Sequence, residues 1–188
     1  MKKRIWLHRG VAAAMGALLL AGTMGLKAAK KHETDRALQA HRQRAAQKAA
    51  TYFIAQGDND SAQATLALAR RHEQIQTGRL QPADVEYLLS VAASKVDQLV
   101  IARSLAILLG LSRQGKLNAV ATEKVKLANR SLFHHPGFVV RAYALALAGE
   151  LNDQASATAI AGIARDDPDP FVREQAEKTN IKLGSEAR

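Results

Sequence analysis

The chain has no cysteine among its 188 residues, which excludes a disulfide framework, a thiolate metal site and a cysteine nucleophile. Aromatic residues make up only 4%, and few stretches have the β-branched and aromatic character that strands favour. No glycine-rich phosphate loop, no G-x-S-x-G turn and no H-E-x-x-H pair occurs, so the familiar signatures of nucleotide, acyl-transfer and zinc chemistry are missing. We therefore expect no catalytic residue, no metal ligand set and no cofactor. Two clusters bear on that expectation. His134 and His135 are adjacent and, on a helix, would point about 100° apart, an awkward way to share a metal. Asp166, Asp167 and Asp169 lack the ordered oxygens and turn glycine of a calcium loop, and fit better as caps of a helix starting near Pro170.

What is abundant is Ala and Leu, both strong helix formers, so the chain reads as all-α. The formal charge of +10 is unevenly placed. Residues 1–56 hold 11 Lys/Arg and 2 Asp/Glu, whereas the remainder holds 16 and 15. The excess belongs to the N-terminal third, and its basic stretch at 33–56 has no aromatic positions interleaved with the charges, so nucleic acid is not an expected partner.

A basic stretch at residues 1–9 leads into 17 uncharged residues, 10–26. At 1.5 Å per residue these span roughly 25 Å, at the short end for a membrane helix and also compatible with a secretory signal. Thr23-Met24-Gly25 and Leu26-Lys27-Ala28 are poor cleavage sites. The favoured expectation is thus an uncleaved single-pass anchor, with a cleaved signal peptide as the alternative. Lys2, Lys3, Arg4 and Arg9 place the N-terminus in the cytoplasm and the following domain outside it, in a periplasm-like space. Lys27, Lys30, Lys31 and Arg36 pull the other way. Residues 27–48 carry basic charges suited to anionic lipid head groups.

Residues 33–56 read as one helix ending at Gly57, and residues 61–77 as a second closed by Gly78, so that 27–80 form a basic juxtamembrane helix and a helical hairpin. Tyr52, Phe53 and Tyr87 fall at helical positions and are expected to pack. Beyond this lies a repeat. HPGFVVRAYA (135–144) and DPDPFVREQA (167–176) align without gaps and share Pro136 with Pro168, Val140 with Val172, Arg141 with Arg173 and Ala144 with Ala176, 32 residues apart. The stretch 97–111 fits with an offset of 38, which sets Arg103 on Arg141. Helices at 118–132 and 152–166 lie between, the glycines of GLSRQG (110–115) punctuate the first connection, and the last helix covers 170–184. All four prolines sit at expected helix starts, where a missing N–H does least harm. Units of this size bury their apolar faces only by stacking on each other.

The D-P-x-x-x-V-R-x-x-A pattern at Asp167, Pro168, Val172, Arg173 and Ala176 resembles the first-helix signature of HEAT repeats, in particular the HEAT-like form of phycobilisome lyases. Residues 135–144 replace the leading Asp with His135, and 97–106 have Gln98 where proline would stand. The resemblance implies a short α-solenoid of HEAT-like helix pairs over residues 81–188, behind the N-terminal transmembrane or signal helix. It also implies that Arg103, Arg141 and Arg173 ladder neighbouring repeats. The function expected is a non-catalytic scaffold that binds a protein partner on its repeat face, with self-association as a further option. The alternatives are an exported soluble binding module and a lyase-type enzyme subunit.

Overall fold

The computed structural model describes residues 34–78 and 80–186, and every regular element among them is helical. No described helix is long and apolar enough to cross a membrane. The anchor expected at 10–26 lies outside the described residues. The chain divides into two compact units, Met1–Ala45 and Ala46–Arg188. In the first, residues 34–45 are helical. In the second, helix α1 (residues 46–55) buries Ala46, Ala50 and Phe53. Tyr52, expected to pack, is instead 61% exposed, its ring edge-on to Phe53. The reason is helical phase: Phe53 continues the Ala46–Ala50 stripe, and Tyr52 does not.

The remaining helices are α2 (Asn59–Thr77), α3 (Pro82–Ala92), α4 (Gln98–Arg113), α5 (Ala119–Arg130), α6 (Phe138–Glu150), α7 (Ala157–Asp166) and α8 (Pro170–Glu186). Short 3-10 turns, Ser131–His134 and Gln154–Ser156, precede α6 and α7. Side-chain oxygens cap the starts: Asp58 accepts from Ser61 N, Asp97 from Leu99 N, and Asn118 from Ala121 N, at 2.8–2.9 Å. Each satisfies an N–H that the helix itself leaves without a partner. Pro82 and Pro170 are first helical residues, whereas Pro136 and Pro168 lie two residues ahead of their helices. Gly110 falls inside α4, so of the two glycines in that stretch only Gly115, at φ +63°, makes the turn.

In the second unit, α4, α6 and α8 lie side by side and parallel. At their N-terminal ends Gln98 packs on Gly137 and Asp167 reaches Arg141; at their C-terminal ends Arg113 and Lys182 both meet Glu150. The other helices back this row, α3 packing on α4, α5 on α6 and α7 on α8. Each repeat-pattern helix is therefore the second of its pair, packed on the helix before it, rather than the first as the signature implied.

Burial also fixes the register of the third copy. Val100, Val140 and Val172 are buried at matching points, as are Ser104, Ala144 and Ala176, and then Leu111, Leu151 and Leu183. The offset between α4 and α6 is thus 40, not 38. Ile101, not Arg103, occupies the place of Arg141, and Arg103 lies on the partly exposed side of α4. The small residues at 104, 144 and 176 let the partner helix approach closely, and Ser104 Oγ donates to Leu88 O at 2.6 Å within that contact. Each fully buried Leu or Val contributes roughly 1.5–3 kcal/mol, so this recurring stripe is the main source of cohesion.

Candidate functional site

The pattern loops converge on one side chain. Arg141, 8% exposed, sits in the first turn of α6. Its Nη1 donates to the carbonyls of His135 and Pro136 at 2.8 and 3.0 Å. Its Nε and Nη2 donate to the two carboxylate oxygens of Asp167 at 2.7 and 2.8 Å. This two-pronged geometry is the strongest form of such a pair. Burial pushes the Asp167 carboxyl up, but the Arg141 bonds and the Asp169 N–H outweigh it and hold the group below the usual carboxylate range. Asp167 Oδ1 also accepts from Asp169 N at 2.9 Å, which turns the chain into α8.

Of the three aspartates expected to cap α8, only Asp169 does so, accepting from Phe171 N at 2.9 Å. Asp167 joins helix pairs, and Asp166 is exposed. Arg173 repeats the pose of Arg141: its Nη1 donates to the carbonyls of Asp167 and Pro168 at 2.6 and 3.3 Å. Arg173 stands near the Asp167 carboxylate and helps to lower its pKa, but forms no ion pair within 4 Å among the described residues. One step earlier both members of the pair are replaced, Ile101 standing for the arginine and His135 for the aspartate. That paired change follows from the cost of burying either charge alone. Of the three arginines expected to ladder the repeats, Arg141 joins two helices through a carboxylate, and Arg173 holds its own loop.

A second clamp lies outside the residues the sequence singles out. Arg130, the last residue of α5, gives Nε and Nη2 to Asp153 at 2.9 and 2.6 Å, and Ser156 Oγ donates to the same carboxylate at 2.5 Å. Asp153 is 1% exposed. Burial raises its carboxyl, but the Arg130 and Ser156 bonds prevail and lower it. The available signal was Asp153 three residues before Ser156 at a helix start, a capping-type spacing. A third buried carboxylate, Asp84, takes Arg71 at 3.0 Å, and Arg71 also lies 5.0 Å over the Tyr87 ring.

Two open clefts, about 610 and 650 Å3, flank Arg141 and share His135, Pro136 and Pro168. The histidines line the first, His134 exposed and His135 accepting from Gly137 N through Nδ1 at 3.0 Å. Among the described residues no group of three His, Cys, Asp or Glu is placed to hold a metal ion. Arg141 is committed to its own loop and to Asp167, and so ties α6 to the start of α8.

The side of the α4–α6–α8 row turned away from the backing helices is open. Matching positions form lines across it: Leu99, Val139 and Phe171; Arg103, Tyr143 and Gln175; Ala106, Ala146 and Lys178; Gly110, Glu150 and Lys182. Leu99 and Phe171 are 57% and 56% exposed. Compared with protein-family models, with curated proteins and with solved structures, the chain gives no match.

Proposed function

We propose that the chain is a short HEAT-like α-solenoid acting as a non-catalytic protein-binding scaffold, held at a membrane by residues 10–26. The observation that carries the reading is the recurrence of one helix, with its buried stripe and its arginine-held loop, at α6 and α8, and of the stripe alone at α4. Stacked helix pairs of this kind expose a long face of parallel helices, and such faces serve as binding platforms. The uncharged run 10–26 between Arg9 and Lys27 supports the anchor, and the basic residues after it suit an anionic lipid surface.

The test uses the full chain in its native membrane, with photo-crosslinking residues placed singly on the open face (at Ala106) and on the backing layer (at Val120). A discrete adduct with another protein from either position, from chain that stays in the membrane pellet at alkaline pH and keeps its first residues, supports the scaffold. Release into the soluble fraction with residues 1–26 removed overturns the anchor and favours the exported module. Absence of any adduct from both positions overturns the scaffold.

A further inference from the structure

Resting on that scaffold reading, we infer that the open face of α4, α6 and α8 receives an acidic, amphipathic segment of a partner protein. Three features of the face select this occupant. First, its charge is one-sided. Its matched lines hold Arg103, Lys178 and Lys182 against the single carboxylate of Glu150, and Arg113, just beyond the last line, shares that carboxylate at 3.4 Å with Lys182 at 3.2 Å, which leaves the face net positive. Glu174, beside it on α8, is taken by Lys178 at 2.6 Å. The side chains of Arg113 and Lys178 are each 63% exposed, so their charges are accessible. A carboxylate-bearing segment meets complementary potential here, and a basic one is repelled.

Second, Leu99, Val139 and Phe171 form the line where α4, α6 and α8 begin, Leu99 and Phe171 exposed and Val139 partly so. An exposed apolar group of this kind, beside charges, marks a contact surface rather than a solvated wall. It gives the segment an apolar anchor at one end, with the basic residues engaging its acids towards the other. Third, the middle of the face is built of small residues, Ala106, Gly110 and Ala146. A Cβ at Gly110 would meet nothing within 4 Å, which leaves room for a backbone or a helix to lie against the row.

The probe is a fluorescein-labelled peptide of about 16 residues, with Leu and Phe at helical i, i+3, i+4, i+7 spacing and Glu or Asp elsewhere. Its control carries Lys in place of every acid. Anisotropy is read with the full-length protein in detergent. The acidic peptide is expected to bind at least tenfold more tightly than the basic one, and to weaken as salt rises from roughly 50 to 500 mM. Arg113→Glu with Lys182→Glu is expected to weaken binding at least tenfold. Leu99→Ser with Phe171→Ser, which alters exposed residues and leaves every ion pair intact, is expected to weaken it at least fivefold. Equal binding of both peptides, or no binding, overturns the proposal. So does acidic-peptide binding that neither variant changes, because the basic N-terminal third would then account for it. If the peptide result is negative while the Ala106 crosslinker still captures a protein, the scaffold stands and only the acidic occupant falls.

Discussion

α6 and α8 share one pattern at a spacing of 32 residues, yet they differ on the side that would meet a following helix. α6 turns Ala142, Leu145 and Gly149 towards α8, all buried. The matching positions of α8 are Glu174, Glu177 and Ile181, all exposed, the last by 73%. Their inward stripes agree, their loops agree, and both arginines hold the two carbonyls behind them. The shared residues start each helix and seat it on its backing partner. The residues that differ report whether another helix is packed alongside. Helix identity and stacking position are thus written in separate residues of the same segment.

The harshest way to break this comparison is to exchange the two outward faces. Leu145→Glu places a carboxylate at a fully buried site without a partner, at a cost of several kcal/mol. We expect loss of the cooperative far-UV thermal transition. The matching change in α8, Glu177→Leu, is expected to leave the melting temperature within about 2 °C, and to produce concentration-dependent self-association in sedimentation because it extends the Ile181 patch. If both variants melt alike, the two faces are not distinguished by packing.

Arg141 and Arg173 offer a gentler separation. Arg141→Ala removes a two-pronged pair and leaves Asp167 charged and buried, a loss on the order of 3 kcal/mol, or roughly 10 °C in a unit of this size. Arg173→Ala removes only the bonds to its own loop and is expected to cost about 1 kcal/mol. Differential scanning calorimetry of the two would place them apart. Similar losses would mean that the carboxylate contributes little and the loop carbonyls account for the effect.

Acid sharpens the same point. The folded-state carboxyls of Asp153 and Asp167 lie below their ordinary value. Their contribution is therefore complete above the unfolded value of about 3.9 and is lost as pH falls through the lower folded value. The melting temperature should hold from neutral pH to about 5 and drop below about 4. Asp167→Asn should start lower and show a shallower acid limb. An unchanged limb would assign the acid sensitivity to other carboxylates.

Much of this was readable beforehand where the signal is local. Caps, prolines and Ala/Leu periodicity located the helices, and Val140/Val172 with Arg141/Arg173 announced the α6–α8 match. Matching Arg103 to Arg141 by residue type sets the copy in α4 two residues out of register. The true counterpart, Ile101, is recognised only by burial: a rung that loses its aspartate also loses its arginine, so identity ceases to guide alignment. Arg130–Asp153 was hidden for a different reason. Its partners are 23 residues apart, on either side of α6, and no local pattern brings them together. The pairing of α7 with α8 is likewise a matter of tertiary contact, because the signature describes one helix and not which neighbour it packs on.

The smallest effect is the one that isolates burial from mere ion pairing. Arg113, like Arg141, binds a carboxylate of the helix row, but its side chain is 63% exposed and its one contact to Glu150 is 3.4 Å long. Water already solvates both groups, and an exposed pair is worth about 0–1 kcal/mol. Glu150 also keeps Lys182 at 3.2 Å when Arg113 is gone, so no buried charge is stranded. Arg113→Ala should therefore shift the melting temperature by no more than about 2 °C, less in high salt, against roughly 10 °C for Arg141→Ala. Equal shifts in calorimetry would show that enclosure of the Arg141–Asp167 pair adds nothing, and the ladder would lose its role in joining α6 to α8.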